Sequence, residues 1–430
     1  MTVPPRPPND CTLTEESVVS RIPVGFVFAV VLLCGVVPAQ EVSPECLWHR
    51  DHLTGDVWGL RSGLAERGVV ADLDLTQFYQ DVASGGAEQK DAYGGKLDYF
   101  FTFAKGLVVL HAETRLGEDV ILDAAGAAPV NTNLLYPGLE NTTAITGLQI
   151  NLPLTPDQDW LVTFGKVNTV DLFQTMYPQT GRGVDGFMNA SSFLPLTVAR
   201  TVPLSFLGSG VMKMNEGRVQ GGLLFYDSHN TPTTSGFPEL LDNGVNIAGL
   251  WRFFTEFGGL PGSHAFLGAW ASGDFTTLDR TGWSFIPGAD IVPGEQSGSW
   301  SLQYILEQQL WADPCCEKRS IGVLSEWGLA DPETCPYAWV CNVSLQAQGL
   351  LACREQDTMG VSYFYSGLSG DLKALFPRVL PLRDVQGVEL YYNAAITPWF
   401  HLTTDLQVVE PAYSNLDSAL VLGLRGKIDF

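Results

Sequence analysis

The chain ends in ALVLGLRGKIDF, residues 419–430, and this one stretch limits what the whole can become. Leu420, Leu422, Leu424, Gly426, Ile428 and Phe430 fall on one parity, and Val421, Gly423, Arg425, Lys427 and Asp429 on the other, which is the two-residue period of a β-strand. One face is apolar and the other charged or small. A terminal strand with a bare edge and an oily face is an aggregation hazard, so something must take both. A sheet closed on itself within a lipid bilayer does so: the last strand pairs with the first, and the apolar parity meets hydrocarbon.

The same alternation fills most of the chain. In KLDYFFTF, Leu97, Tyr99, Phe101 and Phe103 share a face; after a turn at Lys105-Gly106, VVLHAETRL sets Val108, Leu110 and Ala112 against His111, Glu113 and Arg115. Near the C-terminus, Phe400, Leu402, Leu406 and Val408 oppose His401, Thr403, Asp405 and Gln407 after the turn Thr397-Pro398-Trp399. About sixteen such stretches can be marked between residues 70 and 430, an even number of the kind bacterial outer-membrane barrels use. Their connections alternate: short at 105–106, 215–217 and 397–399, long at 116–143, 168–209, 274–299 and 367–385. Short turns on one rim and long loops on the other define an up-and-down transmembrane barrel. Trp251, Trp270, Trp300, Trp311, Trp399 and Phe400 are expected in its interfacial girdles. A soluble sandwich with the same alternation is the alternative.

Composition agrees with a lipid-solvated surface, since only 17% of residues are charged while 45% are hydrophobic. The net charge of −23 argues against nucleic acid, whose phosphates require clusters of Lys and Arg. The apolar run RIPVGFVFAVVLLCGVVPAQ, ending in Val37-Pro38-Ala39, reads as a secretory signal over 1–39, preceded by an unusual acidic leader. A periplasmic segment over 40–69 follows, with a short helix at LRSGLAERG, where Leu60 and Leu64 lie four apart. Of eight cysteines, Cys46, Cys315, Cys316, Cys335, Cys341 and Cys353 remain after cleavage, and in an exported chain they are expected to form disulfides.

Catalytic and cofactor signatures are missing from the sequence. Gly181-Arg182-Gly183-Val184-Asp185-Gly186 satisfies G-x-G-x-x-G, but no strand leads into it and Pro195 would cut a following helix short, so no dinucleotide site is expected. His49, Asp51 and His52 are too few to define a metal centre. No H-E-x-x-H, G-x-S-x-G or Walker loop occurs. The expectation is a protein without cofactor, metal or enzymatic activity.

Three stretches in this order, LTGDVWGLRSGLAERGVVADL, FGKVNTVDLF with GFMNASSF, and VELYYNAAITPWFHLTTDLQVV with ALVLGLRGKIDF, resemble the carbohydrate-selective porins of OprB type. The resemblance implies a sixteen-stranded outer-membrane barrel that passes small neutral sugars through a lumen narrowed by inward-folded loops. Apart from that resemblance, the aromatic end of the closing strand, Phe430, looks like the recognition signal of outer-membrane barrel assembly. Val57 interrupts the family's usual LTGDWGG, and the cysteine cluster is foreign to it. The residues themselves favour the long connection 168–209 as the constriction. Its Asp171, Phe173, Arg182, Asp185, Phe187, Asn189, Phe193 and Arg200 combine acid, base, amide and aromatic groups suited to hydroxyls, and inward parity adds Asp98, His111, Glu113, Arg115, Asp405 and Arg425. A general cation-favouring diffusion porin and a binding or adhesion barrel are the other readings. Which sugar, and how many protomers, the residues leave open.

Overall fold

The structure is a computed structural model that describes residues 46–430 apart from 125, 135–141, 286–290, 376, 379 and 380. The expected signal over 1–39, with Cys11 and Cys34, lies outside the described residues, as does part of the 116–143 loop. Within them, sixteen antiparallel strands close into one barrel. In chain order they are Val69–Ser84, Asp91–Phe103, Val108–Gly117, Thr143–Pro153, Trp160–Asn168, Ser205–Asn215, Arg218–Asp227, Val245–Phe257, Leu260–Thr276, Glu295–Asp313, Cys316–Ala330, Tyr337–Gln348, Thr358–Leu368, Val385–Thr397, Phe400–Glu410 and Ala419–Asp429. No helix among the described residues is long and apolar enough to cross a membrane.

Closure falls where the terminal strand predicts it. Val69–Ser84 pairs with Ala419–Asp429, setting Asp74 opposite Asp429 and Phe78 opposite Arg425. The short helix Leu60–Glu66 lies beside this seam. Its Arg61 reaches Asp72 Oδ1 at 2.9 Å and also bonds the terminal carboxyl of Phe430. Leu53 N–H donates to Asp429 O at 2.7 Å, so the N-terminal segment ties down the end of the last strand.

Polarity is inverted relative to a soluble protein. Outward Leu390, Leu422 and Leu424 are between 42% and 47% exposed, whereas inward Glu389, Gln407 and Arg425 are 0% exposed. With no water at membrane depth every strand needs two partners, and the closed ladder supplies them. Trp270 and Trp300 are cross-strand neighbours in the half nearer the long loops, while Trp311 and Trp399 lie at the short-turn rim. Trp251 stands in mid-strand and so departs from the girdle expectation.

Two further differences concern connections and thiols. The sixth strand begins at Ser205, so the long connection before it closes at 204 and not 209. The loop between Thr276 and Glu295 carries a small ribbon pairing Ser284–Phe285 with Ile291–Val292. The expected disulfides do not form: Cys46, Cys315, Cys316, Cys335, Cys341 and Cys353 are all free thiols. For Cys335 and Cys341 the geometry explains this. Cys315 and Cys316 lie at a short-turn hairpin, and Cys335 lies beyond the other end of the strand Cys316–Ala330, tens of ångströms away at about 3.3 Å per residue. Cys341 takes the outward parity between inward Val340 and Asn342.

The orientation makes a direct prediction. Leu390→Arg, on the lipid face near mid-strand, is expected to destabilise the barrel by about 2–4 kcal/mol in guanidinium unfolding from vesicles. A variant as stable as the parent would show that this parity does not face hydrocarbon.

Candidate functional site

Two long connections turn back into the barrel. The segment from Thr169 to Leu204 opens with the helix Thr169–Met176, whose start is capped by Asn168 Oδ1 accepting from Val170 N–H at 3.0 Å and Asp171 N–H at 3.2 Å. Val170, Phe173 and Met176 are buried against the wall, while Asp171 and Thr175 border a cavity of about 250 Å³ that also touches His111 and Gln149. Farther along, the loop is bolted to the far wall. Glu389 accepts from the backbone N–H groups of Met188 and Asn189 and from Ser192 Oγ; Gln407 Oε1 accepts from Asn189 Nδ2 at 3.0 Å. The described part of the 116–143 loop stacks on it: Thr132 N–H donates to Met188 O at 2.8 Å and Asn133 Nδ2 to Gly183 O at 2.9 Å.

The tip of the inserted loop is the stretch that imitates a dinucleotide motif. Gly181, Arg182 and Gly183 have φ of +62°, +50° and +71°, three successive left-handed residues. Glycine adopts this readily and arginine does so at a cost. A Cβ at Gly183 would stand 2.8 Å from Thr132 Cβ. The carbonyls the kink exposes are met by Arg425, which donates to Gly183 O at 2.7 Å and Gly186 O at 2.9 Å. The two glycines therefore serve to hold Arg182 out from the loop.

Arg182 meets a wall of paired charges. Its guanidinium lies 3.6 Å from Asp74 and 3.6 Å from Asp171, with Cζ 4.3 Å from the Phe100 ring centroid. That ring stacks on His111 at 4.0 Å. His111 Nδ1 lies 2.5 Å from Asp171 and Nε2 2.9 Å from Asp98. Ionised carboxylates only accept, so both ring nitrogens donate and the imidazole is held as a cation. Lys96 lies 3.1 Å from Asp98 and Arg115 3.1 Å from Glu113. Asp98, His111 and Glu113 come close enough to suggest a metal centre, but the Lys96 ammonium already supplies the cation there. On the other flank Lys427 bridges Asp185 at 3.0 Å and Asp429 at 3.1 Å.

Burial alone would raise the loop carboxyls. The charge and hydrogen bond of His111, aided by Arg182, instead hold Asp171 below its ordinary value, and Lys427 does the same for Asp185. Burial would lower Arg182, and Asp98, Asp171 and Asp74 more than offset it.

The structure divides the candidates read from the sequence. Asp185, Asp171 and Arg182 keep side chains 39%, 27% and 14% exposed, with Asp171 on the cavity beside His111 and Asp185 on a separate one. Phe173, Phe187, Asn189 and Phe193 are buried, and Arg200 Nε donates to Thr334 O at 2.9 Å. His111, Glu113, Arg115 and Asp98 face inward as expected but are almost wholly buried behind their ion pairs. Asp405 and Arg425 are likewise buried. Sequence reasoning missed Asp74, Lys427 and Phe100. The first two lay on inward parities and could have been found by it; Phe100 is an aromatic on a polar parity, and only the stack on Arg182 and His111 explains it.

Comparison with known proteins follows from this geometry. No curated protein sequence matches the chain. Residues 156–430, well over half of it, match the family described as carbohydrate-selective porin, OprB family. The high-pH structure of Pseudomonas putida OprB superposes with a TM-score of 0.76 at 17% identity, covering 90% of this chain and 100% of that one. The low-pH structure of the same protein gives 0.53 at 13% identity, covering 89% and 99%. A loop-narrowed barrel of the bacterial outer membrane, a channel and not an enzyme, the chain belongs to the OprB family of carbohydrate-selective porins.

Proposed function

We propose that neutral sugars cross this barrel through the space bordered by Asp171, Arg182 and Asp185, with Asp74 and Lys427 as the wall side of the same constriction. The observation that supports this is the loop tip itself: a left-handed Gly-Arg-Gly run sets a cation 3.6 Å from Asp74 of the facing wall and 3.6 Å from Asp171 of the loop's own helix, inside the lumen. A sugar must exchange water for wall contacts strong enough to admit it and weak enough to release it. Each hydroxyl can join an existing carboxylate or guanidinium pair for about 1 kcal/mol net. An ion finds both signs already compensated, which counts against the cation-favouring reading.

Residues 1–39 act as the export signal in this reading, and the outward aromatic and aliphatic side chains as the contact with outer-membrane lipid. The last strand, with its Phe430 terminus, is the element the assembly machinery would recognise before the seam with Val69–Ser84 forms.

Liposome swelling is expected to be faster with glucose-sized neutral solutes than with ions of similar size, and Arg182→Ala or Asp185→Ala to reduce that preference severalfold. Equal rates for sugars and ions in the parent would overturn the reading. A second expectation concerns pH. Asp171 and Asp185 sit below the ordinary aspartate value of 3.8, so their hold on the loop is complete above that value and is lost as pH falls through their lower folded values. The fastening these two carboxylates supply is therefore expected to stay intact from pH 7 to about 4, and single-channel conductance to become larger and noisier below. Conductance that does not change as pH falls below about 4 would show that these carboxylates do not hold the loop.

A further inference from the structure

A second chamber lies on the side of the loop tip away from the charged wall. It has a volume of about 480 Å³ and is bordered by the loop at Gln174, Gln179, Gly181 and Asp185, and by the strands opposite at Gln309, Gln346 and Gln348. Its position is fixed by its rim. Arg218 directly follows the Glu216-Gly217 turn, Pro261 and Gly262 follow the Gly258-Gly259 turn, and Gln348 and Thr358 flank the connection 349–357. The chamber therefore occupies the half of the lumen that opens at the short turns, on the exit side for a solute entering between the long loops.

Its chemistry differs from that of the constriction. The charged groups at its border are committed: Glu307 binds Arg252 and, at 2.7 Å, Gln179 Nε2, while Arg218 stacks over Phe254 at 4.0 Å. Asp185 is bridged to Lys427. What remains is amide. Gln346 Nε2 donates to Gln179 O and to Tyr391 OH, each at 3.0 Å, leaving its carbonyl oxygen open, and the side chains of Gln309 and Gln348 have no protein partner among the described residues. A primary amide offers two N–H donors and two acceptor lone pairs on one planar group. That matches vicinal hydroxyls, each donor and acceptor at once, and offers little to an ion.

We infer that this chamber is a separate carbohydrate subsite on the exit side, binding hydroxyl-rich neutral ligands through Gln309, Gln346 and Gln348. The inference rests on the porin reading above and adds a second station to it. Sugar leaving the charged constriction would pass from charge-assisted to neutral hydrogen bonds, so its hold weakens toward the periplasm. Conduction through successive sites of falling strength needs such a step.

The test is sugar-induced block of ion current through the full-length channel in planar bilayers, with glucose and maltose added to the short-turn side. Gln309→Ala with Gln348→Ala is expected to weaken the block by about fivefold for each amide removed. Conductance in potassium chloride and ion selectivity should stay as in the parent, because no charge changes. Arg182→Ala should leave a residual block that the two alanines weaken further. Gln309→Asn with Gln348→Asn, keeping the amides but withdrawing them by one methylene, guards against a folding defect and should retain part of the block. If the double alanine variant conducts normally and is blocked like the parent, the exit-side subsite is overturned while the porin reading stands. If the parent itself shows neither block nor sugar-dependent swelling, both fall.

Discussion

Asp74 lies opposite Asp429 and Phe78 opposite Arg425 because the first and last strands have no other partner for those edges. In hydrocarbon an unpaired strand edge leaves each N–H and C=O without water, at several kcal/mol apiece, so closure is the condition for every other feature. It also writes the functional wall. Asp74 comes from the first strand, Lys96, Asp98 and Phe100 from the second, His111 and Glu113 from the third, and Lys427 and Asp429 from the last. Residues some 350 positions apart in the chain become neighbours only across the seam. Arg61, bound to Asp72 and the terminal carboxyl, secures that junction from the short-turn rim.

The inserted loop solves a second problem of the same kind. A segment from Thr169 to Leu204, with one two-turn helix and three short 3-10 stretches, carries many backbone groups that must find partners once buried. The wall provides them with side chains: Glu389 for the N–H groups of Met188 and Asn189, Arg425 for the carbonyls of Gly183 and Gly186, and Asn342 and Ser344 for the carbonyls of Ser191 and Ser192. This is why so many inward polar residues are fully buried in a barrel whose function is passage. They are the loop's hydrogen-bond complement. The apolar packing of Phe173, Tyr177, Phe187 and Phe193 against Ile305, Leu324 and Tyr391 does the rest of the fastening.

The barrel was legible in the sequence to the level of parity. Alternation identified the hairpin at Lys105-Gly106, the charged face of His111, Glu113 and Arg115, and the closing role of the last strand, because a period of two is a local property that lipid on one side and water on the other preserve. The long connection expected at 168–209 was legible from its length, though it closes at 204. Its inner arrangement was not: whether Asn189 faces solute or Gln407, or whether Arg200 is spent on a carbonyl, depends on wall residues more than a hundred positions away. The cysteines misled for the same reason, since their nearness in sequence is undone by a strand that carries Cys315 and Cys335 to opposite rims.

What the finished lumen does to a solute follows from how its charges are spent. At the loop tip each cation stands 3 to 4 Å from a carboxylate, so an ion brought there would gain attraction from one partner and suffer repulsion from the other, after losing part of its hydration. A sugar loses only neutral hydrogen bonds to water and can replace them with bonds to lone pairs and N–H groups already oriented by those ion pairs. Net charge of the whole chain, −23, therefore says little about the channel; the pairing within it decides, and pairing favours the solute that carries no charge. The opposite wall reinforces this, because Gln309, Gln346 and Gln348 present amides where a charge-selective pore would present a second ring of acids or bases.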